Sequence, residues 1–170
     1  MKRLLCFLLA LLCIPCFWGC AQNQDVPENA IVFYYRHSDP AYGNSGNTIA
    51  KEYRDSAKLQ GDIHDILSTY LKGPEGEHLH RTFPAGIRLI SVNIHDDTVD
   101  IVLGGTYSAL TGLNQTMACA CLTLTTCQLL GVKQVQIRRE SETPDGANTV
   151  ILRPENIILN DNCTLEIDTD

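Results

Sequence analysis

Residues 87–103 read IRLISVNIHDDTVDIVL. Ile90, Val92 and Ile94 alternate with other residues, and Val99, Ile101 and Leu103 do the same further on. Period-two alternation is the mark of a strand with one buried face. Between the two runs, His95-Asp96-Asp97 suits a tight turn, because Asp tolerates the backbone angles that turns require. The stretch therefore predicts a β-hairpin over Ile87–Ile94 and Thr98–Leu103, ended by Gly104-Gly105. A hairpin with an apolar face must bury it, and the neighbouring segments supply the cover.

Downstream, Thr111–Leu130 (TGLNQTMACACLTLTTCQLL) carries no charged residue. It predicts a helix covered on most sides, closed by Gly131 in the left-handed position that follows helix ends. Thr and Gln interrupt it too often for a membrane span. Val132–Arg139 alternates as a strand, Ser141–Asn148 with Pro144 and Gly146 is a hairpin loop, and Thr149–Leu152 is the return strand. Glu155–Asp170 reads as an irregular or short β tail.

Upstream, Ala30–Arg36 (AIVFYYR) is an aromatic strand. His37–Asn47 is a loop, and Thr48–Arg54 is a second strand whose Lys51, Glu52 and Arg54 suit an exposed edge. Gly61–Lys72 is a helix: Asp62 caps it, and Ile63, Ile66, Leu67, Tyr70 and Leu71 form one apolar stripe. Gly73-Pro74 stops it, and Glu75–Arg81 is a polar loop leading to Phe83-Pro84-Ala85-Gly86. The order predicts the α+β class, with two helices packed on one face of a mainly antiparallel sheet.

Composition narrows the function. The 170 residues include 20 acidic and 13 basic ones, a net charge of -7, which disfavours a nucleic-acid surface. Aromatic residues are 6%, too few for a base-stacking platform. Charged residues at 19% and hydrophobic ones at 44% are those of a folded chain rather than a disordered one.

The first residues read as an address. Met1-Lys2-Arg3 is basic, and Leu4–Trp18 has no charge. That apolar run falls short of the ~20 residues of a spanning helix. Gly19-Cys20 then resembles the bacterial lipoprotein signal, which is cleaved before the Cys and acylated on it, although Phe17 and Trp18 depart from that pattern. The expected organisation is a signal peptide at 1–19, a lipidated Cys20, a polar tether at 20–29 and one domain at 30–170. Removing Lys2 and Arg3 leaves 11 basic residues against 20 acidic ones, net -9.

Eight cysteines would suggest a disulfide framework, but Cys6, Cys13, Cys16 and Cys20 belong to the leader. On a helix, Cys119 and Cys127 lie about 80° apart, and Cys121 about 160° from Cys119. Such thiolates do not converge on a zinc ion, so buried free thiols are expected, with a bridge to Cys163 as the alternative. His78 and His80, flanked by Glu75 and Glu77, are the nearest approach to a metal cluster, yet no third or fourth ligand can be named. Asp96 and Asp97 serve the turn, and Asp100 falls on a polar strand face. No catalytic motif of the GxSxG, P-loop or GxGxxG type occurs, and no cofactor-binding or metal residue is assigned. Asn114-Gln115-Thr116 and Asn162-Cys163-Thr164 match the glycosylation sequon, which has no meaning behind a bacterial lipoprotein signal.

Seven pieces in order carry a family resemblance: Phe33-Tyr34-Tyr35, Glu52-Tyr53-Arg54, Leu71-Lys72-Gly73-Pro74, Phe83-Pro84-Ala85-Gly86-Ile87, the Ser91–Leu103 hairpin, Thr125-Thr126, and Gly131-Val132-Lys133-Gln134-Val135. Together they resemble the GerMN domain family, over roughly Ala30–Leu152. The resemblance implies a topology similar to ring-building domains and an extracytoplasmic, often lipid-anchored module, with room for one copy. Each piece also has a structural reading; the two threonines, for example, can bond back to helix carbonyls.

The function expected is that of a non-enzymatic cell-envelope lipoprotein, held to the membrane by its lipid, acting as a protein-interaction or assembly module, with sporulation as a possible setting. Its partners would be envelope proteins, in hetero- or homo-oligomers. The contact surfaces would be sheet edges and the side of the first helix bearing Asp65, Ser68, Thr69 and Lys72. A net charge of -9 opposes self-association unless charges are segregated, which favours a heterologous partner. The alternative is a ligand- or metal-binding lipoprotein using His78 and His80. A cell-wall hydrolase would need a convergent carboxylate pair or metal set, which the sequence does not present.

Overall fold

The computed structural model describes residues 29–38 and 48–157. The leader, Cys20, most of the tether, the loop tip 39–47, Cys163 and the tail from 158 onward lie outside them. The hairpin forms where expected, as β4 (Ile87–His95) and β5 (Thr98–Gly105), with Asp96 at the turn in the left-handed region at φ 51°. Its strands precede and follow β1 (Ala30–His37), β2 (Ile49–Asp55), α1 (Ile63–Leu71), β3 (Leu79–His80), α2 (Gly112–Leu130), β6 (Gln134–Arg139) and β7 (Val150–Leu152). The class is α+β, as predicted.

One detail differs from the expectation of a single sheet. The strands divide into two, ordered β2-β1-β3 and β4-β5-β6-β7. All pairings are antiparallel except β5 with β6, where the α2 crossover is long enough to bring the chain back in the same direction. The polar loop 75–81 contributes β3, which pairs with β1 only at Arg36 and His37.

Side chains, not a longer strand, close the rest of that edge of β1. The Tyr34 N–H donates to Thr125 Oγ1 of α2 at 3.0 Å, and the Tyr70 hydroxyl of α1 donates to the Tyr34 carbonyl at 3.1 Å. These buried peptide groups would otherwise lack partners, at a cost of about 1–3 kcal/mol each. Thr125 thus serves β1 rather than its own helix, correcting the expectation of back-bonding; the Thr123 and Thr126 hydroxyls have no partner among the described residues. Thr125→Val keeps the shape and removes the acceptor. It is expected to destabilise the protein by about 1–3 kcal/mol and to speed amide exchange at Tyr34 beyond that global loss. Exchange at Tyr34 unchanged relative to its neighbours would refute the role of this bond.

The core lies between the sheets and the two helices. Tyr35 stacks on Tyr70 at 4.9 Å between ring centres, and Phe33 meets Tyr70 edge-on at 5.5 Å. Ala118 through Cys127 of α2 are all buried, as its lack of charge foretold. One side of α2 meets the main core and another packs Cys121 and Leu124 against Tyr34, Val32 and Ile157. Among the described residues no helix is long and apolar enough to cross a membrane.

The predicted inward set of β4 is partly wrong. A bulge between Leu89 and Ser91 shifts the register, so Leu89 and Val92 face the core while Ile90 is 37% exposed. Ile94, near the strand's end, is 49% exposed. An extra residue in one strand reverses the alternation beyond it, which counting by twos cannot foresee.

Candidate functional site

The α1 helix begins with a reciprocal cap. The Asp65 N–H donates to the Asp62 carboxylate at 3.1 Å, and the Asp62 N–H donates to the Asp65 carboxylate at 3.3 Å. Gly73 follows the helix at φ 107°, a conformation open to glycine. Beyond it, the chain is gripped by two side chains of β2. Arg54, buried, donates to Glu52 at 2.5 Å and to the Gly73 carbonyl at 2.9 Å. Glu52 in turn accepts the N–H groups of Glu75 and Gly76 at 2.8 and 3.0 Å. The Arg54 guanidinium also lies 5.0 Å from the centre of the Phe33 ring. The exposed edge expected for Arg54 is therefore corrected: residues i and i+2 share a strand face, and here that face meets the loop after α1.

This clamp ties the chain after α1 to β2, and a groove of about 460 Å³ lies between the end of α1 and the start of β4. Leu71, Pro84 and Leu89 provide apolar lining, and Lys72, Arg81 and Arg88 provide cations. The Arg81 guanidinium donates to the Lys72 carbonyl, tying the two walls together. A second depression of about 290 Å³ shares Arg81 and Pro84 and is bordered by Arg36, Asn114 and Met117. Pro84–Ile87 line the groove, and Phe83 and Pro84 line the second depression. The groove brings together residues from three parts of the chain, and only its Ser68 and Lys72 side was anticipated, as the outer side of the first helix. Asp65, anticipated with them, is engaged in the cap.

The other predicted candidates are placed as follows. His78 and His80 are exposed, on a turn and on β3, and the His78 carbonyl accepts the Ser38 N–H at 2.9 Å. The group of Asp62, His64 and Asp65 has side chains close enough to share an ion, and the capping bonds account for both carboxylates. Asp97 accepts from Lys133 at 2.6 Å, and Asp100 forms a two-pronged pair with Arg138 at 3.1 and 2.9 Å.

Cys119, Cys121 and Cys127 are buried and free, as expected. Burial pushes the thiol pKa up to about 12 at Cys121 and about 11 at Cys127, and raises that of Cys119 too. A thiol held protonated is a poor nucleophile. Iodoacetamide at pH 8 is expected to leave Cys119 and Cys121 unmodified in the native protein and to alkylate both in urea, read by peptide mass. The linkage sign follows. The unfolded thiols ionise near 9, below the folded values, so their contribution to stability is complete below pH 9 and is lost as pH rises through 11–12. Stability unchanged from pH 8 to pH 11.5 would contradict this burial.

No curated protein matches the chain. A solved structure, the tandem GerMN domains of the sporulation protein GerM from Bacillus subtilis, is similar in fold, with a TM-score of 0.51 and 17% sequence identity. The similarity covers 71% of this chain and 43% of that one, so the chain spans less than half of the tandem structure. The family model "Germane: Sporulation and spore germination" matches residues 32–145, which run from β1 through the β4–β5 hairpin and α2 to the loop after β6. With most of its length matched and the GerMN fold in place, the chain belongs to the Germane family of sporulation and spore germination.

Proposed function

We propose that the protein is a non-enzymatic cell-envelope lipoprotein in which one GerMN-like domain, at 30–170, acts as a protein-interaction or assembly module. Residues 1–19 are its signal peptide, Cys20 bears the lipid, and 20–29 is the tether. The observation that carries this reading is the groove between α1 and β4. It is concave, lined by apolar and cationic groups, and walled by Pro84–Ile87, part of a segment that the family resemblance singles out. Such a surface suits an extended peptide. The buried, protonated thiols and the dispersed histidines favour neither nucleophilic nor metal chemistry.

Cys20→Ala is expected to abolish fatty-acid incorporation and to release the protein from the membrane fraction. Equal incorporation in the variant would remove the anchor from this reading. A photo-crosslinking residue at Ser68 is expected to capture envelope proteins in intact cells, and one at the exposed Asp145 is expected to capture far less. Capture that does not depend on position would remove the groove from it.

A further inference from the structure

The chain is acidic, yet Lys72, Arg81 and Arg88 converge on one groove. No ion pair is formed by Lys72 or Arg81 among the described residues, and Arg88 has Glu140 at 3.7 Å with both groups mostly exposed. Such an open pair is readily exchanged, because its net stabilisation is small. The complementary charge is in the same chain. Residues 158–170 contain Asp161, Glu166, Asp168 and Asp170 and no Lys or Arg. Within them, Thr164–Asp170 reads TLEIDTD, with Leu165 and Ile167 alternating with Glu166 and Asp168. An extended peptide of that pattern presents apolar groups on one side and carboxylates on the other. The groove offers both halves: Leu71, Pro84 and Leu89 for the first, and Lys72, Arg81 and Arg88 for the second.

We propose that Thr164–Asp170 of a neighbouring copy of this chain docks in the groove between α1 and β4. The proposal rests on the interaction-module reading and names the partner. A copy's own segment is poorly placed to reach. Ile157 packs against the cluster of Tyr34, Cys121 and Leu124, and the Tyr34 side chain leaves β1 on the face opposite Phe33 and Tyr35, the face on which Tyr70 of α1 packs. From Ile157 to Thr164 the chain can span at most about 25 Å. It would have to pass round the sheet and a helix about 10–12 Å thick. A contact in which each copy offers a groove and a segment is head-to-tail. It also removes the electrostatic objection to self-association, because the opposite charges are segregated. A membrane tether would raise the effective concentration of such weak contacts.

The test uses the full chain in detergent and a fluorescein-labelled peptide, TLEIDTD, followed by anisotropy. Saturable binding is expected, weakening several-fold when salt is raised from 50 to 300 mM, because the screening length shortens about 2.4-fold. Lys72→Glu with Arg88→Glu, both exposed and therefore compatible with folding, is expected to weaken binding at least tenfold. A peptide carrying Lys in place of Glu166 and Asp168 is expected to bind that variant and not the wild type. In sedimentation, the wild-type chain should gain mass with concentration, the groove variant and a Glu166→Lys/Asp168→Lys variant should not, and an equal mixture of these two should regain the mass increase. A swapped peptide that fails to bind the swapped groove overturns the proposal. So does a monomeric wild type whose groove accepts peptide only after its own segment is altered, because the occupant is then internal. If the peptide fails while Ser68 still captures other envelope proteins, this inference falls and the interaction-module reading stands.

Discussion

Arg54→Met is expected to destabilise the protein by about 3–5 kcal/mol, the usual consequence of leaving one partner of a buried ion pair without its counter-charge. The Glu52 side chain is only 10% exposed and the Arg54 side chain 8%, so water cannot replace the lost cation. The Gly73 carbonyl loses its donor in the same step. Urea denaturation should show a lower midpoint with little change in slope. The double variant Glu52→Leu/Arg54→Met is expected to recover a good part of the loss, since removing both charges leaves none buried alone. A double variant as unstable as the sum of the single ones would mean that the two side chains act independently. The clamp also shapes the groove. It fixes residues 73–76 against β2 and so sets where α1 ends and where Lys72 stands at the groove.

Leu122→Asp should be still more damaging. Leu122 is 1% exposed in the core that also holds Ala118 and Cys119, whose described members are apolar side chains, tyrosines and cysteines, and none of them is charged. An unpaired carboxylate there costs several kcal/mol beyond the lost apolar burial, comparable with the whole stability of a small fold. The variant is expected to lose its near-ultraviolet circular dichroism and its cooperative melt. Leu122→Met, which conserves volume, should cost less than about 1.5 kcal/mol. A wild-type melting temperature for Leu122→Asp would show that α2 is not the element around which the sheets assemble.

Much of the architecture was legible because local chemistry encoded it. The hairpin, the capped and stopped α1, and α2 with its Gly131 terminus all follow from alternation, caps and breakers that act within a few residues. The absence of charge along Thr111–Leu130 announced that Ala118–Cys127 of α2 would be enclosed, while the first turns of the helix are exposed, with Leu113 at 76%. The expectation of buried free thiols on that helix holds for Cys119, Cys121 and Cys127.

What depended on the tertiary structure has a common cause: it required contacts between segments far apart in the chain. Lys51, Glu52 and Arg54 look alike as strand charges, and only the loop arriving at residues 73–76 turns Glu52 and Arg54 into a buried clamp while leaving Lys51 exposed. Thr125 could have bonded to its own helix, and the open N–H of Tyr34 claimed it instead. The bulge at Leu89/Ser91 reversed the side of Ile90 through a register set by β5. Division into two sheets followed from which edges met partners, a matter of packing rather than pattern. The groove belongs to the same group. Lys72, Arg81 and Arg88 stand 9 and 7 positions apart with no periodicity to link them, and it is the turn of the chain after α1 that gathers three cations in an acidic protein. Alternation and capping act through neighbours and can be read along the chain; charge convergence acts through space and exists only once the chain has folded.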